Sequence, residues 1–421
     1  MLFASQAAEA AQPGTATDTT TADTGPTETA QTLTLDSNDA GYAKPRVAAL
    51  DYSSNSTSTR QALLAKFPYV IWGARVGSTA AAFSAGIHSR NSSTKQAFYV
   101  QFTELACSAT STQYTYPMVQ LANKANFWLR KADGSRSQWT SMWDTCDMNI
   151  SAWGRKDSSG WTWLQRKAQF DYNTAFKNLP YVTYAFTDNN FGLPRVNADW
   201  KRIGTNQLRT DSTIIAAQRD GQAAYWSALK GLKNLNIVAN ADNDLSAWQY
   251  KGKLQGAFFE GAMGRSWSIE TWGSWSKMMQ RYRAQLANTI SPHAVFFQVY
   301  GSTTDYRMMR YGLASALLDN GYFVYLPSSG TLQPTWYDEY DARIGTPVDG
   351  PQTSPKQNGI YMRRYTNGLV LVNPSKTTTA SIYVGGGYKR LKGTQDPYVN
   401  NGHLQSTVTL GPRQGLLMIR N

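Results

Sequence analysis

From residue 46 onward, short apolar or aromatic runs alternate with stretches of helical or loop character. The runs span 46–52, 69–73, 97–102, 181–186, 235–239, 256–259, 294–298 and 321–325. Helical segments are predicted near 57–66, 211–231, 271–289 and 305–319. Most runs are separated by enough chain for a crossover, so neighbouring strands are expected to be parallel. Eight is the number that closes a (β/α)8 barrel. An open doubly wound sheet with one miscounted run is the competing reading. Between the third and fourth runs lies a long insertion holding residues 126–130 and an aromatic-rich loop. After about residue 335 the helical periods stop, and runs at 359–365, 368–372, 381–384 and 415–419 alternate with Gly, Pro, Asn and Thr. That texture predicts a small antiparallel β domain. The organisation expected is a linker or signal remnant over 1–44, an α/β TIM barrel over 45–334, and a C-terminal antiparallel β-sandwich over 335–421.

Composition agrees with a folded body behind a disordered leader. Residues 1–40 are dominated by Thr, Ala, Ser, Gly, Asp and Gln and show no hydrophobic period. The whole chain of 421 residues can bury a core without staples. Its 14 Trp and 24 Tyr exclude a disordered body. No apolar run approaches the ~18 residues of a membrane helix, so no span is expected. Charge is segregated. Six of the 28 acids precede Lys44, where Lys and Arg are absent; 41 basic residues then face 22 acids, a formal +19. Such a body is expected to attract polyanions, the competing reading being that the charge only keeps the protein soluble. Signatures of nucleic-acid-binding modules are missing, so an acidic polysaccharide fits the aromatic excess better than nucleic acid does.

Cys107 and Cys146 are the only cysteines. Neither has a partner at metal-ligand spacing, which argues against a zinc site. They are two free thiols or one bridge, and an oxidising, exported setting favours the bridge. Other chemistries find no support. His88, His293 and His403 do not follow barrel strands, a Gly-x-Ser-x-Gly elbow is missing, and no phosphate-binding or dinucleotide fingerprint occurs. Neither a cofactor nor a metal is called for.

In a barrel of this kind the active site lies at the C-terminal ends of the strands. Polar or aromatic residues stand there in every case: Asp51, Trp72 with Arg75, Glu104, Asp188 with Asn189, Asn240 with Asp242, Glu260, Gln298 and Tyr325. Asp188, in Phe-Thr-Asp-Asn-Asn (186–190), and Glu260, in Phe-Phe-Glu-Gly-Ala (258–262), end the fourth and sixth runs. Two carboxyl groups converging on one bond are what glycosidic cleavage requires. The apolar residues before each acid would desolvate it and raise its pKa. Trp200 and Trp267 lie in loops after these strands and are candidates for sugar stacking. Asp147, beside Cys146, is a further candidate contact.

These segments resemble the glycoside-hydrolase-like family fifteen, within the wider α-galactosidase-like group of TIM-barrel glycosidases. The likeness rests on Trp-Leu-Arg-Lys-Ala-Asp-Gly (128–134), Phe-Thr-Asp-Asn-Asn (186–190), Asn-Ala-Asp (240–242), Phe-Glu-Gly-Ala-Met-Gly (259–264), Met-Arg-Tyr-Gly-Leu-Ala (309–314) and Gly-Leu-Val-Leu-Val-Asn-Pro (368–374). It implies that Asp188 is the nucleophile and Glu260 the acid/base. In the wider group the second residue is commonly Asp. Glu reaches one methylene further, so the carboxyl separation decides between retention and inversion, and retention is expected. The functional expectation is a secreted or periplasmic monomeric glycoside hydrolase acting on an acidic exopolysaccharide. The alternative is a noncatalytic polysaccharide-binding barrel.

Overall fold

A computed structural model describes residues 44–141, 143–241, 245–327 and 334–421. Apart from Lys44, the expected linker lies outside the described residues. Eight parallel strands pair in sequence order: β1 (Ala48–Asp51), β2 (Tyr69–Trp72), β3 (Lys95–Val100), β4 (Val182–Thr187), β5 (Asn236–Ala239), β6 (Gly256–Met263), β7 (Ala294–Gly301) and β8 (Tyr322–Pro327). A parallel bridge between Val47 and Phe323 joins the two edges, and the Phe323 N–H donates to the Arg46 carbonyl at 2.8 Å. The sheet is therefore a nearly closed barrel. Helices surround it: α1 (Ser58–Leu64), α2 (Gly77–Arg90), α3 (Tyr116–Ala125), α4 (Trp163–Thr174), α5 (Ser212–Leu232), the short α6 (Ile269–Trp272), α7 (Trp275–Asn288) and α8 (Tyr306–Leu317). Their starts are fixed locally. Asp211 caps α5 by accepting from the N–H groups of Thr213 and Ile214, and Thr162 with Gln165 forms a capping box at α4.

Because side chains alternate across a strand, each strand feeds two cores. One face fills the barrel interior with Ala48, Leu50, Tyr69, Ile71, Ala97, Tyr184, Phe186, Val238, Phe258, Phe296, Tyr322 and Val324. The other face packs outward: Val70, Trp72, Phe98, Ala185, Ile237, Phe259 and Phe297 meet helix residues such as Phe83, Trp226, Met278 and Leu313. This parity decides which strand-end side chains can reach a ligand.

The insertion after β3 contains α3 and a small hairpin in which Glu104–Ala106 pairs antiparallel with Thr145–Asp147. Cys107 and Cys146 form a disulfide beside this pairing. Beyond the barrel come β9 (Tyr361–Tyr365), β10 (Gly368–Asn373), β11 (Ala380–Tyr383), β12 (Tyr388–Arg390), β13 (Thr407–Leu410) and β14 (Gln414–Arg420). A four-stranded antiparallel sheet runs β9-β10-β14-β12, and β11 pairs separately with β13. Leu369, Leu371 and Leu416 of the first sheet share a core with Ile382 and Val408 of the second. Arg310 on α8 helps dock this region, pairing with Glu339 at 3.0 Å and Asp396 at 2.6 Å.

Candidate active site

Following the inward parity to the C-terminal end of each strand, inside it for Tyr99, Glu260 and Tyr300 and one residue past it for Tyr52, Asp188 and Asn240, brings these six side chains to the mouth of the barrel. Asp188 is 9% exposed and accepts three hydrogen bonds: from Tyr99 Oη at 2.7 Å, Asn240 Nδ2 at 2.9 Å and its neighbour Asn189 N at 2.9 Å. Glu260 accepts from Asn240 Nδ2 at 2.7 Å and from Tyr300 Oη at 3.1 Å. One amide nitrogen thus donates to both acids. The two acceptor oxygens are separated by no more than 2.9 plus 2.7, or 5.6 Å. Asn240 is itself fixed by the backbone, its N–H donating to the Thr187 carbonyl at 2.9 Å.

Glu260 sits where the β6–β7 register shifts, between Phe259 and Met263. An irregularity of this kind re-aims side chains near active sites. Gly261 takes φ +56°, and a Cβ there would meet the Trp267 ring at 2.1 Å. Trp267 therefore lies directly against the strand end that carries Glu260, with its ring edge-on to Tyr300 at 6.1 Å. On the opposite side, Gly73 leaves room for Tyr99, whose Cβ would be 3.0 Å from an added methyl.

Burial dominates the electrostatics. It pushes the Asp188 carboxyl above the usual carboxylate range, against the pull of the Tyr99 and Asn240 hydrogen bonds. Burial, followed by the nearby carboxylates, holds Tyr52, Tyr99 and Tyr300 well above the ordinary phenol range. These three phenols keep their protons at neutral pH and remain donors. Removing the Tyr99 donor should raise the Asp188 carboxyl further. A nucleophile must be ionised, so in Tyr99→Phe the acid limb of the kcat/KM profile should move to higher pH, while the rate on the plateau falls less. A limb that stays in place or moves to lower pH contradicts this account.

The remaining sequence candidates divide by parity and burial. Asp51 points out of the barrel and is fully buried against Arg60 at 2.6 Å and Arg75 at 3.1 Å. The Asp51–Arg75 pair braces the wall and does not face a ligand. Trp72 is likewise outward, buried between Phe83 and Phe98, with Nε1 donating to Gln96. Tyr325 faces outward and ties down the loop after β7 through the carbonyls of Ser302 and Asp305. Trp200 is buried in the outer core. Substrate contact expected of these residues is corrected by their packing. Gln298 is inward and buried, its Oε1 accepting from Gly261 N at 2.6 Å, so it steadies the turn beside Glu260. Asp242 lies outside the described residues.

Glu104 has a different part. It accepts from Trp139 Nε1 at 3.1 Å, Thr145 Oγ1 at 2.6 Å, Asn189 Nδ2 at 2.6 Å and Arg195 Nη2 at 3.4 Å, and from Gln101. Asn189 has a left-handed backbone, φ 57°. By gripping its amide, Glu104 holds the Asn189 N–H on Asp188. Asp147 stands opposite Glu104 in the hairpin and bonds Ser137; burial pushes its carboxyl up to about 6. Sequence reasoning missed Tyr52, Tyr99 and Tyr300. Counting two residues on from Leu50, Ala97 and Gln298 would have found them.

Residues 185–369 match the model of hypothetical glycosyl hydrolase family 15. Over this stretch the chain is similar to a glycoside hydrolase family. The matched stretch carries Asp188, Asn240, Glu260, Trp267 and Tyr300. No curated protein matches the chain in sequence. Among solved structures, Amy13B of Eubacterium rectale is similar over 90% of this chain and 96% of its own, at 10% identity and a TM-score of 0.51. An Anoxybacillus alpha-amylase is similar over 91% and 94%, at 8% identity and a TM-score of 0.49. At such identities the likeness to Amy13B speaks to the fold alone. Among the described residues no helix is long and apolar enough to cross a membrane, and no cluster of potential metal ligands occurs.

Proposed function

We propose that this glycoside hydrolase cleaves an acidic polysaccharide by a two-step retaining mechanism. Asp188 attacks the anomeric carbon while the Glu260 carboxyl gives its proton to the leaving oxygen. The glycosyl–Asp188 ester is then opened by a water whose proton returns to Glu260, restoring both groups. The observation that carries this reading is the shared Asn240 amide, which limits the two carboxylate oxygens to 5.6 Å. Retaining pairs stand ~5–5.5 Å apart, whereas inverting pairs leave ~6.5–9.5 Å for a water. Trp267, half-buried beside Glu260, offers a ring face for a sugar. The formal +19 of the body after residue 43 favours an acidic polymer. The Cys107–Cys146 bridge is in keeping with export to an oxidising compartment.

The test follows the anomeric proton signals of newly released ends by NMR before mutarotation blurs them. The expected product keeps the configuration of the bond that was cut. The opposite anomer as first product would overturn the retaining assignment.

A further inference from the structure

We infer that Arg265 is a carboxylate-binding subsite, recognising a uronic acid unit of the chain bound beside Glu260. This rests on the glycosidase reading above and names the part of the substrate that is selected. Arg265 follows β6 by two residues, on the loop between Glu260 and Trp267. Its guanidinium carbon lies 4.3 Å from the centre of the Tyr300 ring, whose hydroxyl bonds Glu260. The cation therefore sits on the aromatic lining of the active site and not on the outer surface.

Arg265 is half-buried, and two features mark it together. Arg60 and Arg75 meet Asp51, and Arg310 meets Glu339 and Asp396. Among the described residues Arg265 meets no carboxylate at ion-pair distance, and its Nε is buried without an acceptor. A buried guanidinium N–H without a partner is costly, and a carboxylate presents two oxygens that match the guanidinium fork. The residue is also held in place. Its N–H donates to Ser268 Oγ at 3.0 Å, and its carbonyl accepts from Ser268 N at 3.1 Å and Thr271 Oγ1 at 2.8 Å. A pinned backbone lowers the ordering cost of binding. There is an electrostatic need as well. The ionised Asp188 nucleophile makes the mouth negative, so an acidic sugar would be repelled without a nearby cation. The Arg265 charge already reaches this region, where it opposes the rise of the Tyr300 phenol.

The rival role for Arg265 is mere support of the Tyr300 ring, and two measurements separate them. In the first, the full chain is titrated with glucuronate and with glucose, followed by tryptophan fluorescence and by the Arg Nε–H signals. Glucuronate should bind at least roughly tenfold more tightly than glucose, and Arg265→Ala should abolish the difference. Equal binding of the two sugars, no binding of glucuronate, or an unchanged preference in Arg265→Ala overturns the proposal. In the second, acidic polysaccharides are compared with their carboxyl-reduced, neutral forms as substrates. Arg265→Ala should lose activity on the acidic form and keep it on the neutral form. Equal loss on both supports the ring-support role and overturns the subsite. Glucuronate binding without cleavage of any polysaccharide would count against the glycosidase reading while leaving the subsite standing. Cleavage that favours neutral polymers would do the reverse.

Discussion

Asp188→Asn should lower cleavage by about four orders of magnitude or more while leaving the fold as stable as before. The catalytic loss follows from the loss of the attacking oxygen, since an amide cannot form the glycosyl ester. The stability result follows from the sign of the shift. Burial raises the Asp188 carboxyl above its unfolded value, so the folded chain holds this proton more tightly than the unfolded chain does. Ionisation of Asp188 therefore works against the fold above the unfolded carboxylate range, and the penalty vanishes as pH falls below that range. A neutral isostere relieves it. The melting temperature of Asp188→Asn at pH 7 should be equal to or above wild type, with the difference closing at low pH. Glu260→Gln should behave differently. It removes a proton donor, costing ~10²–10⁴-fold on natural linkages. Most of the first step should return with an aryl glycoside whose leaving group needs no proton. Wild-type rates in either variant, or recovery of Asp188→Asn with the activated substrate, would sink the role assignment.

The two acids were legible because each directly follows an apolar strand run, and strand order places the fourth and sixth ends on one face. The eight runs were legible for the same reason: buried parallel strands read as continuous apolar segments. What the linear reading lacked was parity. It took the last polar residue of each run, which selected Asp51 where Tyr52 is the inward side chain, and Trp72 where Gly73 makes room for Tyr99. Asp51 looks like an active-site acid in sequence, but its arginine partners lie 9 and 24 residues on, and only the fold brings them to it. The role of Glu104 was hidden similarly, since its grip on Asn189 spans 85 residues. The cysteine bridge could be favoured from compartment arguments, but its geometry required the hairpin. Arg265 had no sequence signal at all. It is one of 41 basic residues, and only the fold sets it against the Tyr300 ring beside Glu260.

Asn240 is the second position where a small change should have a large effect, because one nitrogen serves both acids. Asn240→Ala takes a donor from Asp188 and from Glu260 at once. The hydrogen bond that it removes holds the Asp188 carboxyl down, so the acid limb of kcat/KM should shift upward, with roughly a 10²-fold loss at neutral pH. Asn240→Asp is nearly isosteric, yet it should be worse. It replaces a shared donor by a third carboxyl at contact distance from the other two. A pair of unit charges ~3 Å apart at an effective dielectric of about 20 repels by about 5 kcal/mol. The trio must retain at least one extra proton, and the nucleophile competes for it. The expected order at pH 7 is wild type far above Asn240→Ala, with Asn240→Asp lowest. If the bridging amide only filled space, the isosteric Asp variant would outperform Ala, and the measured rank of the two variants decides between these accounts.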